Sequence, residues 1–171
     1  MMKSSFTIGK IDDINLRKYN IKLSDYKSKI KLILENILSL SELKSSKIFN
    51  VDINKIRFDI AFCNDETIQN INRDYRDKNR PTDVITFSLF ADDNDAIIYR
   101  KTADLGQIIV SVETADKQKE ENNNTLEKEI LTLITHGILH LLGFDHQTKK
   151  EYDFVVGVQN KVMKNYEQIS I

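Results

Sequence analysis

Tryptophan is absent from this chain of 171 residues, and cysteine, proline and glycine are scarce, at one, one and five. A lone Cys63 excludes an internal disulfide and fits a reducing cytosol. With so little proline and glycine, the loops must be built from polar residues. Charge of either sign is not in excess: 25 basic residues face 26 acidic ones, for a net charge of -1 and a pI of about 6.3. Proteins that coat duplex nucleic acid are usually more basic, so DNA is not an expected partner, although a local basic groove remains open. No apolar run has the length needed to span a bilayer, and no membrane partner is expected. The opening MMKSSFTIGKIDDINLRKYN shows no long apolar segment and no small-residue cleavage site, so no secretion signal is read and a cytoplasmic location is expected.

The 40% of hydrophobic residues is ordinary for a globular protein, and its patterning predicts alternating elements. SDYKSKIKLILENILSLSELK reads as an amphipathic helix, with Ser24 or Asp25 as its cap. KIRFDIAFCN alternates Ile56, Phe58, Ile60 and Phe62 with Lys55, Arg57, Asp59 and Ala61, the pattern of a half-buried strand. DETIQNINRDYR reads as a short helix with acidic residues in its first turn. DVITFSLF and LGQIIVSV are β-branched and aromatic runs that predict strands. DDNDAIIYRKTAD between them reads as a polar excursion, and VETADKQKEEN as a polar helix. The strongest helix is NNNTLEKEILTLITHGILHLL, capped by Asn124 or Thr125 and ended by Gly143. KKEYDFVVGVQNKVMKNYEQI predicts a last helix, weakened by Gly157. The expectation is an α/β (α+β) fold: one domain over residues 1–171, a small mixed sheet of about four strands packed with several helices. Residues 1–25 fit a strand, a variable extension or a mobile arm.

All three histidines fall in LITHGILHLLGFDH. On a helix His136 and His140, four apart, project side by side, and Gly143 lets the chain turn so that His146 reaches the same point. Three imidazoles suit Zn2+ best, though nickel, copper and iron also accept them, and they leave a fourth position free, as catalytic rather than structural sites do. Gly137 stands where a zinc peptidase carries its Glu base. Glycine can neither take nor give a proton, which argues against peptide hydrolysis and fits phosphodiester cleavage. It also costs helix stability, so the position looks kept for space, for a substrate or another backbone. Asp145 can orient a ligand imidazole, accept a proton, or simply cap the turn. In INRDYRDKNRPTDVITFS, Arg73, Arg76, Lys78 and Arg80 alternate with Asp74, Asp77 and Asp83. Such a run is either a solvated face or a loop in which one or two guanidiniums hold phosphate.

Together these stretches resemble the YbeY family of single-strand-specific endoribonucleases. The resemblance rests on H-G-x-L-H-L-x-G-x-D-H, met by His136, Gly137, Leu139, His140, Leu141, Gly143, Asp145 and His146. It extends to Asn72, Tyr75, Arg76, Pro81, Thr82, Asp83 and Val84, and to Leu105, Gly106, Ile108 and Ser111. It implies one zinc ion on His136, His140 and His146, an arginine important for activity at Arg76, and single-stranded ribosomal RNA of the small subunit as substrate. Maturation of the 3′ end of that RNA and ribosome quality control are the implied roles. Two positions depart from the family pattern: Gln107 replaces an Asp, and Ile85-Thr86-Phe87-Ser88 replaces L-S-F-P. For the chemistry, the attacking oxygen is left open between water and the RNA 2′-hydroxyl, with Arg76 stabilising the growing phosphoryl charge. Tyr75 or Phe87 is a candidate stacking surface for bases; both can equally be core residues, and for Phe87, in a strand, the core is favoured. Two other readings stand beside this one: a zincin-like metallopeptidase, and a non-catalytic ribosome-assembly factor with a structural metal. Cys63 is expected to serve packing alone.

Overall fold

The computed structural model describes residues 2–89 and 98–169. Its chain order is β1 (Lys3–Lys10), α1 (Leu23–Ser39), β2 (Lys55–Cys63), α2 (Asp65–Arg76), β3 (Val84–Ser88), β4 (Ile98–Tyr99), β5 (Thr102–Ser111), α3 (Val112–Glu121), α4 (Leu126–Leu141) and α5 (Lys149–Ile169). The sheet runs β1-β2-β5-β3, with the two-residue β4 paired to β5. β1, β2 and β5 are parallel, and β3 joins β5 antiparallel, so the sheet is mixed as expected. The open alternative for the N-terminus resolves as a strand: Lys3 to Lys10 pair in continuous register with Lys55 to Phe62. Of the polar excursion read over residues 92–104, residues 92–97 lie outside the described residues; the rest is corrected, since Ile98–Tyr99 form β4 and Thr102–Asp104 open β5.

Each face of the sheet carries its own core. On one, α1, α4 and α5 cover Ile56, Phe58, Leu105 and Ile108, and α1 contributes Tyr26, Ile30, Ile33, Leu34 and Ile37 at helical spacing. On the other, α2 lays Ile68 over Cys63, Ile85 and Ile109. That second layer corrects the half-buried reading of β2. The alternation holds from Ile56 to Ile60, but Ala61, Phe62 and Cys63 are all buried, because a central parallel strand is covered on both sides. The cap assigned to α1 is also corrected. Helix geometry begins at Leu23 with Lys22 as N-cap and no side-chain cap, so Ser24 and Asp25 stand inside the first turn. There Asp25 still complements the helix dipole.

α4 is the central helix. It is apolar nearly all round, with Ile130, Leu131, Leu133, Ile134, Ile138, Leu139 and Leu141 buried, and it touches β3, β5, α1, α3 and α5. Thr125 accepts the N–H of Lys128 and is its N-cap. Gly137 sits where α4 crosses β5. A Cβ there would lie 2.9 Å from the Ile108 side chain, so the space is kept for a β5 side chain and not for a substrate or another backbone. At the other side of the sheet edge, Gly106 (φ +114°) lies at a break in the β2–β5 register, where a Cβ would collide with the Phe87 carbonyl. The glycine lets β3 lie close against β5.

Candidate metal centre and its cleft

The C-terminus of α4 and the start of α5 build a turn of fixed shape. Gly143 (φ +89°) donates its N–H to His140 O at 2.9 Å, and Phe144 donates to Leu139 O at 3.0 Å, the paired bonds of a Schellman ending. Three residues on, Thr148 and Glu151 form a capping box. The Glu151 carboxylate accepts the Thr148 N–H at 2.8 Å, and the Thr148 hydroxyl accepts the Glu151 N–H at 3.3 Å. Between these two devices only Asp145, His146 and Gln147 remain to be placed. Asp145 Oδ1 accepts the His146 N–H at 2.8 Å, which sets His146. The end of α4 is tied down from elsewhere too, since the buried Ser46 donates its hydroxyl to Leu142 O at 2.5 Å.

The result is a convergence of three half-buried rings. His140 Nε2 lies 2.9 Å and His146 Nε2 3.4 Å from His136 Nε2, and the three ligand atoms fall within 4.8 Å of one another. A tetrahedral ion with bonds of about 2.0–2.1 Å needs nitrogens roughly 3.3–3.4 Å apart, so the donor set fits such an ion in number, chemistry and spacing. Among the described residues no further His, Cys, Asp or Glu joins the group. Two of the rings, His136 and His140, are held neutral, the form that binds metal. Burial pushes His140 down to about 4, helped by the neighbouring His136 and His146, and burial also lowers His136. His136 Nδ1 lies 2.9 Å from Gln159 Oε1, and His140 Nδ1 lies 3.8 Å from Asp145 Oδ1.

These rings line an open cleft of about 1100 Å³ along the β3 edge, between β3, α4 and α5. Arg76, Asp83, Thr86 and Phe87 line its opposite wall. Of the basic residues singled out in the charged run, Arg76 alone lines the cleft. Arg73 turns away to Asp74 and Asn70, at 2.8 and 2.9 Å. Arg76 is the last residue of α2 and is exposed. Its Nη2 donates to Thr86 O at 3.5 Å, and its charge is near enough to help keep His140 deprotonated. The loop after it is pinned from beneath, where buried Asn72 donates to Arg80 O at 2.9 Å. Asp83 is fixed by the Val84 N–H at 2.8 Å. Tyr75 is 72% exposed and meets Phe87 edge-on at 5.2 Å between ring centroids. Phe87 therefore does two things: it packs on the small core and it faces the cleft. Gln107 is not among the cleft-lining residues, so the departure from the family pattern there leaves the cleft wall unchanged.

The sequence did not point to three of the groups that matter here. Thr148 and Glu151 carry a legible signal, T-x-x-E at a helix start. Gln159 carries none, because it meets His136 from a different helix.

Comparison with known proteins bears on this arrangement. A family model described as Endoribonuclease YbeY matches residues 13–167. Proteins named Endoribonuclease YbeY are similar to the chain. That of Malacoplasma penetrans (strain HF-2) is 36% identical, over 85% of this chain and 93% of its own length. That of Sulfurihydrogenibium sp. (strain YO3AOP1) is 37% identical, over 81% and 80%. That of Prochlorococcus marinus (strain MIT 9211) is 40% identical over 66% of this chain, and the match spans only 59% of that relative. The fold is similar to the solution structure of TM1509 from Thermotoga maritima, with a TM-score of 0.52 at 23% identity, covering 96% of this chain and 93% of that one. On these matches the chain belongs to the Endoribonuclease YbeY family.

Proposed function

We propose that this protein is a zinc-dependent endoribonuclease that cuts single-stranded RNA. The proposed setting is the cytoplasm, in maturation of the 3′ end of small-subunit ribosomal RNA and in ribosome quality control. The observation that carries this reading is the meeting of three Nε2 atoms in the wall of an open cleft, with a guanidinium on the facing wall. Residues His136, His140 and His146 would hold the ion. Zinc so held polarises a phosphoryl oxygen and brings the pKa of a water to about 7. Arg76 binds the phosphate by its N–H fork and stabilises the charge that grows on the phosphoryl oxygens. Its exposure and, among the described residues, single long hydrogen bond suit a guanidinium that adjusts to the substrate. Asp145 accepts from His146 and stands beside His140, and it orients those two rings. Tyr75 and Phe87 offer an aromatic surface beside Arg76 on which an unpaired base can stack, which favours single strands.

The peptidase alternative finds no support at its decisive position. Residue 137 is buried against Ile108, so a glutamate placed there would meet β5 before it reached the cleft. A purely structural metal is disfavoured by the open cleft beside the rings. The test is cleavage of a defined single-stranded RNA by zinc-loaded protein, with bound zinc measured in parallel in wild type, His136→Ala and His140→Ala. Wild type should carry one zinc and cut; both variants should lose metal and activity. Equal cutting by all three would reveal a contaminating nuclease, and full zinc in His140→Ala would place the metal elsewhere.

A further inference from the structure

We propose that Gln159 is a positioning residue for the metal centre, presenting His136 to the ion in one tautomer and one orientation. The inference rests on the metal-binding reading above. His136 Nδ1 lies 2.9 Å from Gln159 Oε1. An amide oxygen only accepts, so Nδ1 carries the ring proton. A neutral imidazole has one such proton, which leaves Nε2 bare. Nε2 is the atom that the other two rings approach, at 2.9 and 3.4 Å. The nitrogen that must be unprotonated to ligate is thus the one that Gln159 keeps unprotonated.

Gln159 can do this because its backbone is anchored. Val155, Val158, Val162 and Met163 bury the face of α5 that packs on α4. The Thr135 hydroxyl, one residue before His136, donates to Leu131 O at 2.7 Å and packs 3.4 Å from Met163 Sδ. Gln159 follows Val158 and lies at the edge of this face, where α5 borders the cleft beside Val156 and Asn160. His140 has a looser partner, Asp145 at 3.8 Å, on a carboxylate that is largely exposed. Of these two outer contacts, the one to the deeper ring is short and uncharged. A neutral partner fixes the ring without adding charge to the site.

The experiment measures zinc affinity by chelator competition in wild type, Gln159→Leu and Gln159→Glu, with His140→Ala as control. Imidazole 1H–15N spectra of the metal-free proteins report the tautomer. Gln159→Leu should bind zinc roughly 10–100-fold more weakly. Gln159→Glu, which restores an acceptor, should return to within a few-fold of wild type. His136 in wild type should carry its proton on Nδ1, and the leucine variant should lose that preference while its metal-free melting temperature stays near wild type. Unchanged zinc affinity in Gln159→Leu would overturn the inference, as would a wild-type proton on Nε2. Should the leucine variant not fold, the wild-type tautomer decides alone. If wild type and His140→Ala bound zinc equally poorly, the metal reading would fall, and the tautomer would still report separately on Gln159.

Discussion

The two walls of the cleft are built on opposite plans. The histidine wall belongs to α4, a helix buried nearly all round, and each ring is fixed by a turn or a partner with its own hydrogen bonds. The arginine wall belongs to the end of α2 and the edge strand β3, where the guanidinium is exposed and, among the described residues, makes one hydrogen bond, at 3.5 Å. An ion must be met by donors already at the right distance, because rearranging a packed helix is expensive. On the proposed function, a phosphate on a flexible strand arrives in varied poses, and an exposed cation at the rim suits it better than a buried one would.

The sharpest way to break this comparison is Arg76→Ala. It should cut single-strand RNA cleavage by about 10²–10³-fold, as for loss of a group that stabilises transition-state charge. Zinc content should be unchanged, and stability should shift by less than about 0.5 kcal/mol, as for an exposed side chain. Loss of metal in this variant would show that the two walls are not independent. A second test uses acid. In the unfolded chain His140 takes up a proton near pH 6.5, and in the folded metal-free protein only at about 4, because burial and its two neighbouring rings resist the charge. Between those values the unfolded state binds more protons, so folding stability falls with pH. The melting temperature of the metal-free protein should decline from pH 6.5 toward 4, and a His140→Ala variant should show a shallower decline.

Two glycine replacements sharpen the contrast further. Gly137→Ala places a methyl 2.9 Å from Ile108, on the rigid side. Overpacking should outweigh the gain in helix propensity and lower stability by about 1–2 kcal/mol in denaturant titrations, with weaker zinc binding as α4 is pushed from β5. Gly157→Ala on exposed α5 meets nothing within 4 Å. The same change should there raise stability by about 0.5–1 kcal/mol, the ordinary gain for alanine in a helix. Finally Cys63, buried and with its thiol pushed up to about 12 by burial, should resist alkylation near neutral pH until the protein unfolds.

What could be read beforehand follows how local each feature is. The cap of α4, read as Asn124 or Thr125, is Thr125, and the histidine spacing and the turn at Gly143 are encoded within a few residues and stand where the sequence placed them. So do α2 and the strand from Lys55 to Cys63. Features that depend on a second segment were not visible. The occupant of the space at Gly137 is Ile108, 29 residues earlier and on a strand. The burial of Cys63 depends on α2 covering that face. Gln159 reaches His136 only because α5 folds back along α4. The start of α1 was misplaced because serine and aspartate favour caps, while Lys22 and Leu23 begin the helix with no side-chain cap at all.

One small bond carries a last lesson. Ser46 belongs to the stretch before β2, which has no recognisable motif, yet it grips the carbonyl of Leu142 across 96 positions of chain. The anonymous front of the molecule is thus a bracket for its most recognisable part: Ser46→Ala, which removes the clasp alone, should blur the bend that aims His146 and leave the sheet folded.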